Sequence, residues 1–228
     1  GVTGALPANL FIDLTGNPVP NMFRGTFSGT NFRGAIPEKI FGTLTGAPAE
    51  GMFYETFRGL SQLTNAIPAT LFSGITGAPA TDMFRGTFYG CMKLRGNVPS
   101  GLFAGIGGAP APGMFSQTFM GCTKLSGIDA GVFGNLSGDA QTDMFTQMFA
   151  NDNKLYGYSP QINGQYLYQI WPNATSAQVG GAFKKCQKLT DYSSIPNTWR
   201  SYFLFLWQAG GCVACQHRLL LRDVPALP

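Results

Sequence analysis

The chain has 228 residues, with 15 Lys and Arg against 11 Asp and Glu for a net charge of +4. Charged residues make up only 11%, a balance too weak to name nucleic acid as the partner. No run reaches the roughly 18 apolar residues of a transmembrane helix, the single histidine (His217) removes most imidazole catalysis and His-cluster metal sites, and 19 Phe argue against a disordered chain.

Along the chain the first feature is repetition. Met-Phe pairs stand at Met22-Phe23, Met52-Phe53, Met83-Phe84, Met114-Phe115 and Met144-Phe145, spaced 30, 31, 31 and 30 residues apart. Each Met is followed five residues later by a second Phe: Phe27, Phe57, Phe88, Phe119 and Phe149. An apolar-Pro marker followed by Leu/Ile-Phe keeps the same period, as in Ile36-Pro37 with Ile40-Phe41 and Val98-Pro99 with Leu102-Phe103. A Gly-Ala-Pro turn recurs at Gly46, Gly77 and Gly108. Three markers at one spacing identify a repeat array. The first copy begins at Gly1 within a coil, and the N-terminal Gly-Val-Thr-Gly has neither the basic nor the apolar region of a signal peptide.

Within one copy, Met83, Phe84, Phe88 and Cys91 fall within about 140° of arc at a helical 100° per residue, which predicts a short helix. Pro79 suits its start and Gly90 its end. Leu94 to Val98 reads as a short strand closed by Pro99, which opens a second helical turn carrying Leu102 and Phe103 inward. No copy buries its apolar face alone, so the copies must stack, Phe over Phe, with their strands pairing in parallel. The expected fold is an α/β repeat: a solenoid over residues 1–200 with a narrow parallel sheet, short helices on the opposite wall, five regular coils and one or two degenerate ones. The coil from about 150 to 177 is irregular, though Phe183, Cys186 and Leu189 still fit the frame. Residues 201–228 lose the markers and read as a C-terminal cap or irregular tail, in which Tyr202 to Trp207 would cover the last coil.

Phe88-x-x-Cys91-x-x-Leu94, followed by Val98-Pro99 and Leu102-Phe103, resembles the BspA-type leucine-rich repeat of bacterial surface proteins. The Met-Phe pair is similar to a related repeat of bacterial surface lipoproteins. The resemblance covers residues 1–199 and departs in its longer period and in Thr30, Leu60 and Asp152 at the Cys position. It implies a right-handed leucine-rich-repeat solenoid that is secreted or displayed on a bacterial cell surface and binds host or matrix proteins.

Candidate sites are few. Cys91, Cys122 and Cys186 share one slot that elsewhere takes Thr or Leu, so the slot asks for a small buried side chain rather than for sulfur chemistry. Cys212-x-x-Cys215 with His217 supplies three ligands where structural zinc needs four, and lacks a thioredoxin-like context. Asn135-Leu136-Ser137 and Asn173-Ala174-Thr175 fit the N-glycosylation pattern and are incidental in a bacterial protein. Phosphate-loop, nucleophile-elbow and zinc-protease motifs are all missing; the expectation is a non-catalytic chain without metal or cofactor. The remaining candidate is basic: Lys93, Lys124, Lys154 and Lys188 occupy one slot, five residues after the repeat's Phe, and Arg95 extends it. Stacked at about 5 Å, these charges would form a column whose repulsion an acidic glycan or other polyanion relieves. The function expected is an adhesion-type interaction module for a protein or anionic glycan. The alternative is a structural protein assembling end to end into fibres.

Overall fold

The computed structural model describes residues 2–201. Short parallel strands recur at the predicted place in each repeat unit: β1 (Thr3–Ala5), β2 (Asn31–Gly34), β3 (Gln62–Leu63), β4 (Gly96–Val98) and β5 (Leu125–Ile128). They form a parallel sheet β1-β2-β3 and a parallel pair β4-β5. Parallel bridges continue the pairing on the return side, joining Gly46 to Ile75, Gly77 to Ile106 and Gly108 to Leu136. Beyond Asn153 the pattern changes to an antiparallel hairpin, β6 (Gln161–Ile162) with β7 (Gln165–Tyr166), followed by α1 (Leu167–Ile170), α2 (Ser176–Val179) and α3 (Asn197–Arg200).

The expected helix in each Met-Phe segment is not there; the only helices among the described residues are those after Leu167 and a 3-10 turn at Tyr192–Ser194. The Met-Phe segments are instead chains of overlapping turns. Every second N–H closes a turn within its own unit, as Thr26 to the Phe23 oxygen (3.3 Å), while the intervening ones cross to the next unit, as Phe23 to the Met52 oxygen and Phe53 to the Met83 oxygen (both 2.8 Å). One residue in four takes a positive φ: Asn21, Gly25 and Gly29, then Asp82, Gly86 and Gly90. A left-handed residue at that interval stops α-helix propagation, and Gly, Asn and Asp are the residues that tolerate it. Glu55, Gln117 and Gln147 hold the same conformation, so the inter-unit hydrogen bonds outweigh a local cost of about 1–2 kcal/mol each. The arc that suggested a helix survives because a four-residue turn period also returns Phe84 and Phe88 to one side.

The repeat letters have specific duties. Met52, Met83, Met114 and Met144 are fully buried, and Met22 is half-buried. The sulfur of each of the last three accepts the backbone N–H three residues upstream, at 3.4 to 3.5 Å. Thr56, Thr87 and Thr118 donate to the Phe23, Phe53 and Phe84 oxygens of the preceding unit at 2.9 to 3.0 Å. The rings stack in ladders: Phe53 on Phe84 at 5.3 Å and 2°, Phe88 on Phe119 at 5.5 Å and 5°, Phe72 on Phe103 at 5.8 Å and 11°. Leu102 and Phe103 point inward as expected, on a turn rather than a helix.

The C-terminal end of the ladders is closed by α3. The Gly181 and Phe183 N–H groups donate to the Thr198 and Trp199 oxygens (3.1 and 2.8 Å), and buried Trp199 lies on Phe183 at 6.1 Å. The cap expected from Tyr202 to Trp207 lies outside the described residues, as do Cys212, Cys215 and His217 and the rest of 202–228. At the other end Val2, Leu10, Ile12 and Val19 are exposed.

Close approach of units also sets some glycines. A Cβ on Gly74, whose φ is ordinary, would sit 2.0 Å from the Leu44 oxygen. Gly74→Ala is expected to lose about 1–3 kcal/mol as the two units are forced apart. Exposed Ser73→Ala beside it should stay within about 0.5 kcal/mol. Equal urea midpoints for the two variants would show that the units separate freely.

Candidate functional site

The strands expose one face. In each unit a buried Leu (Leu63, Leu94, Leu125, Leu155, Leu189) turns into the core, and Lys93, Lys124, Lys154 and Lys188 immediately before it stand on turns. Lys93, Lys124, Lys154, Lys188 and Arg95 are all exposed there. Gln62 holds the same slot one unit before Lys93, and its Oε1 accepts a hydrogen bond from the Lys93 Nζ at 2.7 Å.

Register decides how the charges are arranged. Arg33 of one unit pairs with Gln62 of the next, and Gly96 pairs with Leu125. The pairing shifts register between Gly96 and Asn97, and at the lysine slot the link between units runs from slot to slot, as in the Lys93–Gln62 hydrogen bond. Gly157 pairs with Leu189 in an isolated parallel bridge. The lysines therefore recur once per unit, each just before the buried Leu, with successive units one strand spacing, roughly 5 Å, apart. The ion pairs among the described residues are Arg58 with Glu55 and Arg85 with Asp82 and Asp143, and none involves these lysines. The acids nearest the row in sequence, Asp152 and Asp191, are buried, and Asp129 accepts a hydrogen bond from Asn97 at 2.6 Å.

Tyrosines on the same face went unread in the sequence. Tyr156 and Tyr158 are 58% and 54% exposed, the highest among large apolar side chains apart from Val2. They follow Lys154 where the repeat becomes irregular, and the usable signal was Tyr in slots that hold Arg95 and Asn97 or Ser126 and Ile128 in the preceding units.

The cysteine slot is a core column. Cys91, Cys122 and Cys186 are buried free thiols donating to the Phe57, Phe88 and Phe149 oxygens at 3.1, 3.0 and 3.0 Å. Burial pushes the Cys91 thiol up to about 12, so it is held protonated and unreactive. Asp152 occupies the same column, fully buried, with neither carboxylate oxygen in a well-formed hydrogen bond. No group of three His, Cys, Asp or Glu among the described residues is placed to hold a metal. A cavity of about 390 Å³ between two return loops is lined by Phe41, Leu44, Phe53 and Phe72, with Glu38 and Lys39 as its only charged residues. Among the described residues no helix is long and apolar enough to cross a membrane.

Comparison with protein-family models, with curated proteins and with solved structures returned no match.

Proposed function

We propose that the chain is a non-catalytic interaction module, a right-handed leucine-rich-repeat-like solenoid that is secreted or displayed on a bacterial cell surface and binds an anionic glycan or an acidic protein along its strand face. The observation that carries this reading is the row of Lys93, Lys124, Lys154 and Lys188, exposed on one face and free of ion pairs among the described residues. Like charges on units stacked at roughly 5 Å, well within a Debye length, repel, and a polyanion relieves the repulsion while releasing its counterions. Among the described residues the free thiols are buried, and Cys91 is held protonated. End-to-end fibre growth needs open backbone donors, and the Gly181 and Phe183 N–H groups are already taken by the Thr198 and Trp199 oxygens of α3.

The test is the triple variant Lys93→Gln, Lys124→Gln and Lys188→Gln on a heparin column. It is expected to elute at clearly lower salt than the wild type, and its affinity should depend less steeply on salt, since fewer counterions are released. Unchanged elution would reduce the row to a solvated surface.

A further inference from the structure

From the tyrosines around the hairpin, we propose that β6–β7 and the segment before it form an aromatic platform that stacks the sugar rings of a linear acidic polysaccharide, at the end of the lysine row. The proposal rests on the polyanion reading above and narrows its ligand to carbohydrate.

The platform is where the repeat is broken. Tyr158 lies 6.2 Å from Tyr166 at 33°, and Tyr166 stacks on Tyr168 at 5.3 Å and 4°. Tyr168 is buried and Tyr158 exposed, so the series runs from the core outward and its last ring presents a face to solvent. The base is anchored: the Ser159 N–H and Oγ–H donate to the buried Asp191 carboxylate at 3.0 and 2.5 Å. The tip is anchored as well, with Asn163 Nδ2 donating to Asn135 Oδ1 of the preceding unit at 3.0 Å. Rings held this way lose little conformational entropy on binding.

The surrounding chemistry selects the ligand. Gln161 is paired with Tyr166 across the hairpin and so shares its face, and its amide carries two donors and an acceptor, matching hydroxyls, which both give and take hydrogen bonds. An apolar protein partner would favour aliphatic neighbours here, and single-stranded nucleic acid a denser cationic groove. Lys154 stands two residues before Tyr156, and the adjoining Gly157 bridges to Leu189, next to Lys188. Stacking surface, amide fringe and sparse positive charge together fit a chain of sugar rings with spaced carboxylates.

The experiment measures binding of the full chain to hyaluronan and polygalacturonate, with dextran as neutral polymer and oligo-dT as nucleic acid. Wild type should bind both acidic polymers and prefer them to dextran and to oligo-dT. Tyr156→Ala with Tyr158→Ala should weaken binding tenfold or more without changing its salt slope, because the lost contacts are uncharged. Tyr156→Phe with Tyr158→Phe should stay within about threefold, keeping the rings. The exposure of both side chains means the thermal midpoint should not move. The lysine triple variant should do the opposite, lowering the salt slope. Full binding by the Ala variant alongside a weakened lysine variant overturns the platform and leaves the polyanion reading standing. A wild type that binds neither acidic polymer overturns both. Equal dextran binding, or tighter oligo-dT binding, overturns the acidic polysaccharide as ligand.

Discussion

Phe84→Ala is expected to cost about 3–5 kcal/mol, the range for emptying a fully buried aromatic site. Phe84 is wholly inaccessible, with Phe53 stacked on one side at 5.3 Å and Phe115 on the other at 5.6 Å. The tilted rings of Phe72 and Phe103 close its flanks at 4.8 and 4.7 Å. Truncation opens a void between two units, and in a repeat array each unit is held chiefly by its neighbours. The loss therefore also weakens the junction, and urea unfolding should become broader with a smaller m-value as cooperativity breaks. Phe11, half-buried at the first unit and packed on Phe23 from one side, is the comparison, and Phe11→Ala should cost less than half as much. Similar midpoints for the two variants would refute a core built from coupled ladders.

Asp152 should make the protein less stable as pH rises. Burial lifts its pKa well above the usual carboxylate value, with backbone groups of Cys122 and Gly121 pulling it partly back down. The folded chain thus holds a proton that the unfolded chain, titrating near 3.9, has released. Stability is full below about pH 3.9, falls by up to about 1.4 kcal/mol per pH unit above it, and levels off once pH passes the folded-state pKa. The neighbours in the column explain the residue's tolerance: the slot holds neutral buried thiols at Cys122 and Cys186, and a protonated carboxyl is likewise neutral. Asp152→Cys restores the repeat's own residue and is expected to flatten this part of the pH dependence between pH 4 and 7. It should also raise the denaturation midpoint at pH 7 well above that of the wild type. Urea titrations at pH 4, 5.5 and 7 decide it; parallel pH profiles for the two proteins would show that Asp152 does not carry the linkage.

How much of this was legible in the sequence follows from what a repeat encodes. Identical letters at 30 to 31 residues can satisfy their apolar faces only by stacking in register, so the Phe ladders, the buried Met column, the inward Leu and the parallel strands could all be read without coordinates. The lysine slot was visible on the same logic. The conformation of the Met-Phe segment was not, because Phe84 and Phe88 four residues apart satisfy both a helix and a chain of turns. The deciding signal is the Asn, Asp or Gly at four-residue steps, and the deciding force is the hydrogen bond from Phe84 N–H to the Met114 oxygen in the next unit. Such a bond exists only once two units are side by side. The same dependence on neighbours governs the rest. The register shift between Gly96 and Asn97, the placing of Tyr158 beside Tyr166, and the stacking of Trp199 on Phe183 all follow from inter-unit register and from chain reversal in the irregular unit. A one-dimensional period carries neither.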